Sequence, residues 1–195
     1  QLRDDLMVTS DEAQLVLSAF LIMLGFGQLI AGSLSDRIGR RPVLVYGSLL
    51  FVLSGFGALL ANSIEMLVFM RTLQGLGAAA CMAMGRVIIS DSFQHAEAGR
   101  QMSTITMFQS VVPLLGFSFG GVLADLVGWR GSVGLMVVTA AIVFAGASML
   151  LAESRDPSIK PVPATRVIFV YGQLLMTPLF IANAIMAATV TAVYF

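Results

Sequence analysis

Apolar and polar residues follow one another along this chain in long blocks. Residues 13–35 carry no charge after Glu12, and residues 43–62 carry none at all. Further apolar runs cover about 65–90, 101–124 and 131–152, and a sixth begins near 168. Each complete run is about 20 residues or longer, enough to cross a hydrocarbon core of roughly 30 Å as a helix. The pattern therefore predicts helices over 13–35, 43–62, 65–90, 101–124 and 131–152, with a sixth starting near 168. Pro113 and a high glycine content interrupt the fourth. Polar stretches separate the runs. Residues 1–12 are acidic, with Thr9 or Ser10 able to cap the helix that follows. Asn62-Ser63, Asp91 to Arg100 and Asp125 to Arg130 read as turns. Glu153 to Arg166 is the longest polar segment, and Pro157, Pro161 and Pro163 disfavour a continuous helix there.

Charge orients these helices. The turns near 37–41, 91–100 and 153–166 hold Arg37, Arg40, Arg41, Arg100, Arg155, Lys160 and Arg166. The opposite set holds only Arg3 and Arg130. The cation-rich side is expected in the cytoplasm. Composition agrees with a membrane protein: 57% of residues are hydrophobic and 11% charged, against about 25% charged in soluble domains. Mean hydropathy is +0.91. Zero net charge argues against a nucleic-acid partner. Cys81 is the single cysteine, so no internal disulfide is possible. His95 has no metal-ligand spacing around it, and neither a metal nor a cofactor is expected. No Ser/His/Asp set or phosphate-binding glycine loop points to an enzyme. Twelve methionines and thirteen phenylalanines suit lipid contact and helix packing, or a pocket for varied apolar ligands.

The tightest charged turn is Gly32-Ser33-Leu34-Ser35-Asp36-Arg37-Ile38-Gly39-Arg40-Arg41-Pro42. Gly32 and Gly39 let backbones approach or turn, and Pro42 suits the first turn of the next helix. Gly32, Leu34, Asp36, Arg37, Gly39, Arg40, Arg41 and Pro42 fill every position of a pattern G-x-L-x-D-R-x-G-R-R-P. That pattern resembles the signature loop of the major facilitator superfamily, which joins its second and third membrane helices on the cytoplasmic side. Asp36 is expected to act as a conformational latch, pairing with an arginine or a helix N-terminus in the outward-open state.

A second motif is Arg71-Thr72-Leu73-Gln74-Gly75-Leu76-Gly77. A cation inside a membrane helix is costly and should face protein or water, although an Arg so near the helix start can also snorkel to the interface. Arg71 and Gln74, three apart, share a helix face, and Gly75 and Gly77 permit close packing. The segment resembles the superfamily's R-x-x-Q-G-x-G motif, whose arginine is linked to proton transfer. Arg86 either anchors at the interface or pairs with Asp36 or Asp91. The third motif, Pro113 to Gly121, resembles the antiporter signature ending G-P-x-x-G-G. Gly116, Gly120 and Gly121 match, Phe117 replaces the proline, and Pro113 fits the drug-efflux branch. An ordinary glycine-rich packing face is the plainer reading.

Together these motifs look like the bicyclomycin- and chloramphenicol-resistance branch of drug efflux, across residues 1–195. The resemblance implies an all-α integral membrane protein of the major facilitator fold, a fragment holding family helices two to seven. Residues 1–152 would be the N-terminal bundle without its first helix, 153–167 a cytoplasmic linker, and 168–195 the first, truncated helix of the second bundle. It implies proton-coupled export of amphipathic small molecules by a monomer in a bacterial inner membrane. Uptake of a small metabolite and a non-transporting scaffold or sensor are the alternatives. No acidic residue lies inside an apolar run, so a proton-carrying carboxylate is expected in the first helix, outside these residues.

Overall fold

The computed structural model describes residues 9–155 and, beyond them, scattered residues between 169 and 186. The side chains of His95, Pro113, Phe117, Gly120 and Gly121 lie outside the description, as does most of the sixth expected helix. The chain divides into two compact units, Gln1–Asp156 and Pro157–Phe195. The second unit contributes a short helical stretch at 178–182, with Leu179 and Met176 exposed.

Among the described residues the first unit holds four helical elements: α1 (Ser10–Ile38), α2 (Arg40–Leu59), α3 (Ile64–Ser92) and α4 (His95–Leu150). Gly128 breaks α4 with φ 74° and ψ 174°, giving two arms over 95–127 and 129–150. Gln14–Ile38, Arg40–Leu59, Ile64–Ser92 and Gly128–Leu150 are long and apolar enough to cross a membrane. Thr9 caps α1: its hydroxyl accepts from the Glu12 N–H at 3.3 Å, and its own N–H donates to the Glu12 carboxylate at 2.8 Å. Ser63 caps α3 by accepting from the Met66 N–H. Both ends start where a side-chain oxygen satisfies an otherwise orphan backbone donor.

Two turns are shorter than hydropathy implied. The apolar run ends at Ser35, but α1 continues through Ser35-Asp36-Arg37-Ile38, and α2 begins at Arg40. Gly39 alone makes the elbow, at φ 104° and ψ 162°. Polar residues at a helix end keep their side chains in water, so helix persists after apolarity stops. Gly128 does the same work for the turn expected over 125–130. A left-handed φ strains any residue with a Cβ, and glycine removes that strain. Pro42 sits in the first turn of α2 as expected. The backbone also stays helical through Pro113, where a break was expected.

The helices run up and down, and α3 is the central one, packed on both α1 and α2. Lipid supplies no hydrophobic force between helices, so close approach of small residues carries the packing. A Cβ on Gly75 would strike the Phe20 carbonyl of α1. One on Gly77 would lie 2.7 Å from the Gly47 carbonyl and 2.8 Å from the Phe51 amide of α2. Gly27 meets Ala79 in the same way. One buried cluster, around Ala58, Leu67 and Val137, lies away from the elbow and includes the second arm of α4. Another, around Ala31, Val43, Ala80 and Met84, lies beneath the elbow. The first arm of α4 is different: Met107, Phe108, Val111 and Val112 are all exposed.

Candidate functional site

Two polar centres stand out, one at each end of this bundle. At the elbow, the Asp36 carboxylate accepts from Arg40 Nη1 at 2.6 Å, and Asp91 at the end of α3 accepts from Arg40 Nε at 3.0 Å. Arg40 Nη1 also donates to the Ser35 hydroxyl at 3.1 Å. One guanidinium thus ties the end of α1 to the end of α3. Its planar fork suits two carboxylates at once. The arginine that pairs with Asp36 lies four residues on.

Glu153, just past α4, holds the other side of the elbow. Its carboxylate accepts from the backbone N–H of Arg40 at 2.9 Å and of Arg41 at 3.2 Å. These are first-turn donors of α2 with no partner inside their helix. Arg41 Nη2 donates to the Ser148 carbonyl at 2.7 Å, and Arg155 Nη1 to the Arg37 carbonyl at 2.8 Å. The Arg37 side chain is exposed. Partial burial alone would raise the Glu153 carboxyl. The N–H groups of Arg155, Arg40, Arg41 and Ser154 outweigh that and hold it below the usual carboxylate range. Glu153 was not singled out from sequence. The only local signal is an acid directly after an apolar run. A Cβ on Gly39 would collide with this carboxylate, so glycine serves position as well as φ there. Gly32 has open space around it, and no close approach explains it.

At the opposite end, Arg71 Nη1 donates to Gln74 Oε1 at 3.1 Å, as their spacing predicts. Gln74 is fully buried. Arg71 lies about 10 Å along α3 from its start, by a rise of about 1.5 Å per residue. Arg71 Nε, Gln74 Nε2 and the Ser132 hydroxyl are buried without a hydrogen-bond partner. Arg71 and Ser132 line one cavity of about 290 Å³, with Leu67, Trp129 and Met136. Three buried polar groups, all able to donate, share this region. Leaving such groups unpaired is costly, so the arrangement suits an acceptor-rich guest.

The elbow motif, the Arg71–Gln74 pair and the close-packed helices coincide with a family match over the whole chain. The family model described as Major Facilitator Superfamily matches residues 1–195. The chain belongs to this superfamily. Among similar proteins, the chloramphenicol resistance protein of Pseudomonas aeruginosa is 37% identical over 127 residues, covering 63% of this chain and 29% of the relative. Multidrug resistance protein D of Escherichia coli is 32% identical over 173 residues, 87% of this chain and 42% of the relative. The multidrug transporter MdfA of Yersinia pestis is 32% identical over 169 residues, 87% of this chain and 41% of the relative. The chain thus spans less than half the length of these curated relatives. As a superfamily member with several membrane-capable helices and bacterial relatives, it is a multi-pass protein of the bacterial inner membrane.

The remaining candidates are not gathered into one site. Gly116 is exposed, with no atom within 4 Å of where a Cβ would stand, and the side chains of Pro113, Gly120 and Gly121 lie outside the described residues. Arg86 pairs with neither Asp36 nor Asp91; its Nη2 donates to Gln109 Oε1 at 3.4 Å. No group of metal-ligating side chains occurs among the described residues.

Proposed function

We propose that the full-length protein is a proton-coupled exporter of amphipathic drug-like molecules, a carrier and not an enzyme, working as a monomer. The named relatives, which are multidrug and chloramphenicol resistance proteins, support the substrate class. The observation that carries the coupling is the buried Arg71–Gln74 pair with its unsatisfied donors. Arg stays charged at any accessible pH and cannot itself carry the proton. Its role is to hold a carboxylate, supplied from elsewhere in the full-length transporter, in its ionised form until substrate and proton exchange.

In this reading Gly32, Asp36, Arg37, Gly39, Arg40 and Arg41 form the conformational switch. Pro113, Gly116, Gly120 and Gly121 form an antiporter seal between bundles. Residues 1–152 belong to the first bundle, 153–167 to the inter-bundle linker and 168–195 to the start of the second. The test is chloramphenicol-driven proton flux in vesicles reconstituted with full-length protein, measured across pH. Without the cation the carboxylate keeps its proton to higher pH. Arg71→Ala therefore shifts the optimum upward, and Arg71→Lys restores part of the rate. An Arg71→Ala protein with unchanged rate and profile reduces Arg71 to an interface anchor.

A further inference from the structure

A second cavity, of about 510 Å³, lies between α2, α3 and both arms of α4 and shares Met136 with the Arg71 cavity. That volume suits a drug-sized guest. Its wall is apolar: Phe51, Cys81, Met82, Val112, Gly116 and Met136 are among the lining residues. Its hydroxyls are already engaged. Ser48 donates to the Leu44 carbonyl at 2.8 Å and Thr139 to the Leu135 carbonyl at 2.9 Å. The wall itself therefore has no free hydroxyl to orient a ligand.

Polar side chains lie one turn beyond the lining residues on the side nearer the elbow. Cys81 and Met82 present the lining face of α3, and Arg86 is four residues past Met82 on that face, one turn nearer the elbow. Val112 presents the lining face of α4, and Gln109 is three residues before it, displaced to the same end. The two meet at 3.4 Å. Arg86 is exposed, and among the described residues no carboxylate pairs with it; Asp91 is engaged by Arg40. An apolar chamber with a guanidinium and an amide one turn beyond its lining residues can select by charge. A charge-assisted bond to Arg86 would be about twice as strong as a neutral one.

We propose that this cavity binds amphipathic organic anions, with the apolar body among Phe51, Met82 and Met136 and the anionic head on Arg86. The inference rests on the transporter reading and adds a charge preference within its substrate class. The same chemistry serves an exported solute or an anionic lipid. The experiment uses full-length protein in discs of zwitterionic lipid and two fluorescent probes with one apolar body. These are 1-anilinonaphthalene-8-sulfonate, which is anionic, and N-phenyl-1-naphthylamine, which is neutral. Site occupancy is read as slowed alkylation of Cys81 by N-ethylmaleimide. Both probes should protect Cys81 in the wild type. Arg86→Gln should weaken the anion about tenfold or more and leave the neutral probe unchanged; Arg86→Lys should recover part of the loss. Ala140→Phe, which fills the chamber, should weaken both. An unchanged anion-to-neutral ratio in Arg86→Gln, or no protection of Cys81 by either probe, overturns the proposal. Displacement of the anion in phosphatidylglycerol discs assigns the site to lipid, and its persistence there assigns the site to solute. If anion selectivity fails while proton-driven export persists, only this site is rejected. If selectivity holds while export is absent, the transporter reading fails instead.

Discussion

Gly77→Ala is the smallest change that should disturb this bundle, and Gly85→Ala is its control on the same helix. The new Cβ at position 77 would sit 2.7 Å from the Gly47 carbonyl and 2.8 Å from the Phe51 amide, where ordinary contact begins at 3.4 Å. Both obstacles are backbone atoms of α2, so no rotamer change relieves them. The helices must separate by several tenths of an ångström, which also loosens Gly47 against Ala80. Overpacking of this kind costs about 1–3 kcal/mol. Against it stands a gain of up to about 1 kcal/mol from replacing a helical glycine. At position 85 a Cβ meets nothing within 4 Å, so only the gain remains. The readout is thermal unfolding of purified full-length protein, followed by a fluorogenic thiol dye at half-buried Cys81. Gly77→Ala should lower the midpoint by about 2–4 °C for each kcal/mol lost, on the scale of a domain this size. Gly85→Ala should match or exceed the wild type. Equal midpoints for the two variants would refute the claim that α2 and α3 touch backbone to backbone at Gly77.

Three further outcomes are expected. Cysteine labelling of the full-length protein should reach positions 39, 97 and 160 only from the cytoplasm, and positions 5, 63 and 128 only from outside; outside labelling at 39 would invert the topology. Asp36→Asn removes one of two carboxylates on Arg40 and should impair export while leaving membrane insertion intact, so normal transport rates in that variant would remove the latch role. Glu153 is held below its ordinary value, so its contribution to the elbow is complete above the unfolded carboxylate value near 4.3 and is lost as pH falls through the lower folded value. Glu153→Gln should destabilise the protein at pH 7 by about 1 kcal/mol and flatten the acid limb of its unfolding profile; an unaltered acid limb would show that the carboxylate contributes nothing there.

Long uncharged runs announced the helices because a bilayer imposes length and apolarity on each segment. The ends were less legible. Asp36 and Arg37 look like loop in a hydropathy reading, yet they extend α1, because hydropathy reports surroundings and not backbone geometry. Arg71 and Gln74 were readable because their contact is local, three residues apart on one helix. Glu153 was not, since its partners at Arg40 and Arg41 lie 113 and 112 residues away and no spacing within the sequence encodes that approach. Asp91 was considered for Arg86, but α3 turns it toward Arg40. Ser132 joined the Arg71 cavity only once α4 was seen to fold back at Gly128.

A joint of one residue has consequences for how force travels. Gly39 leaves no slack between α1 and α2, and Glu153 and Arg40 brace it from either side. A push on α1 cannot be absorbed by a stretching loop; it must arrive in α2 as rotation. The hairpin then behaves as a lever with a stiff corner, and in the proposed transport cycle this bundle would move by rigid-body rocking. Inserting even two or three flexible residues after Gly39 should disconnect the lever while leaving each helix intact.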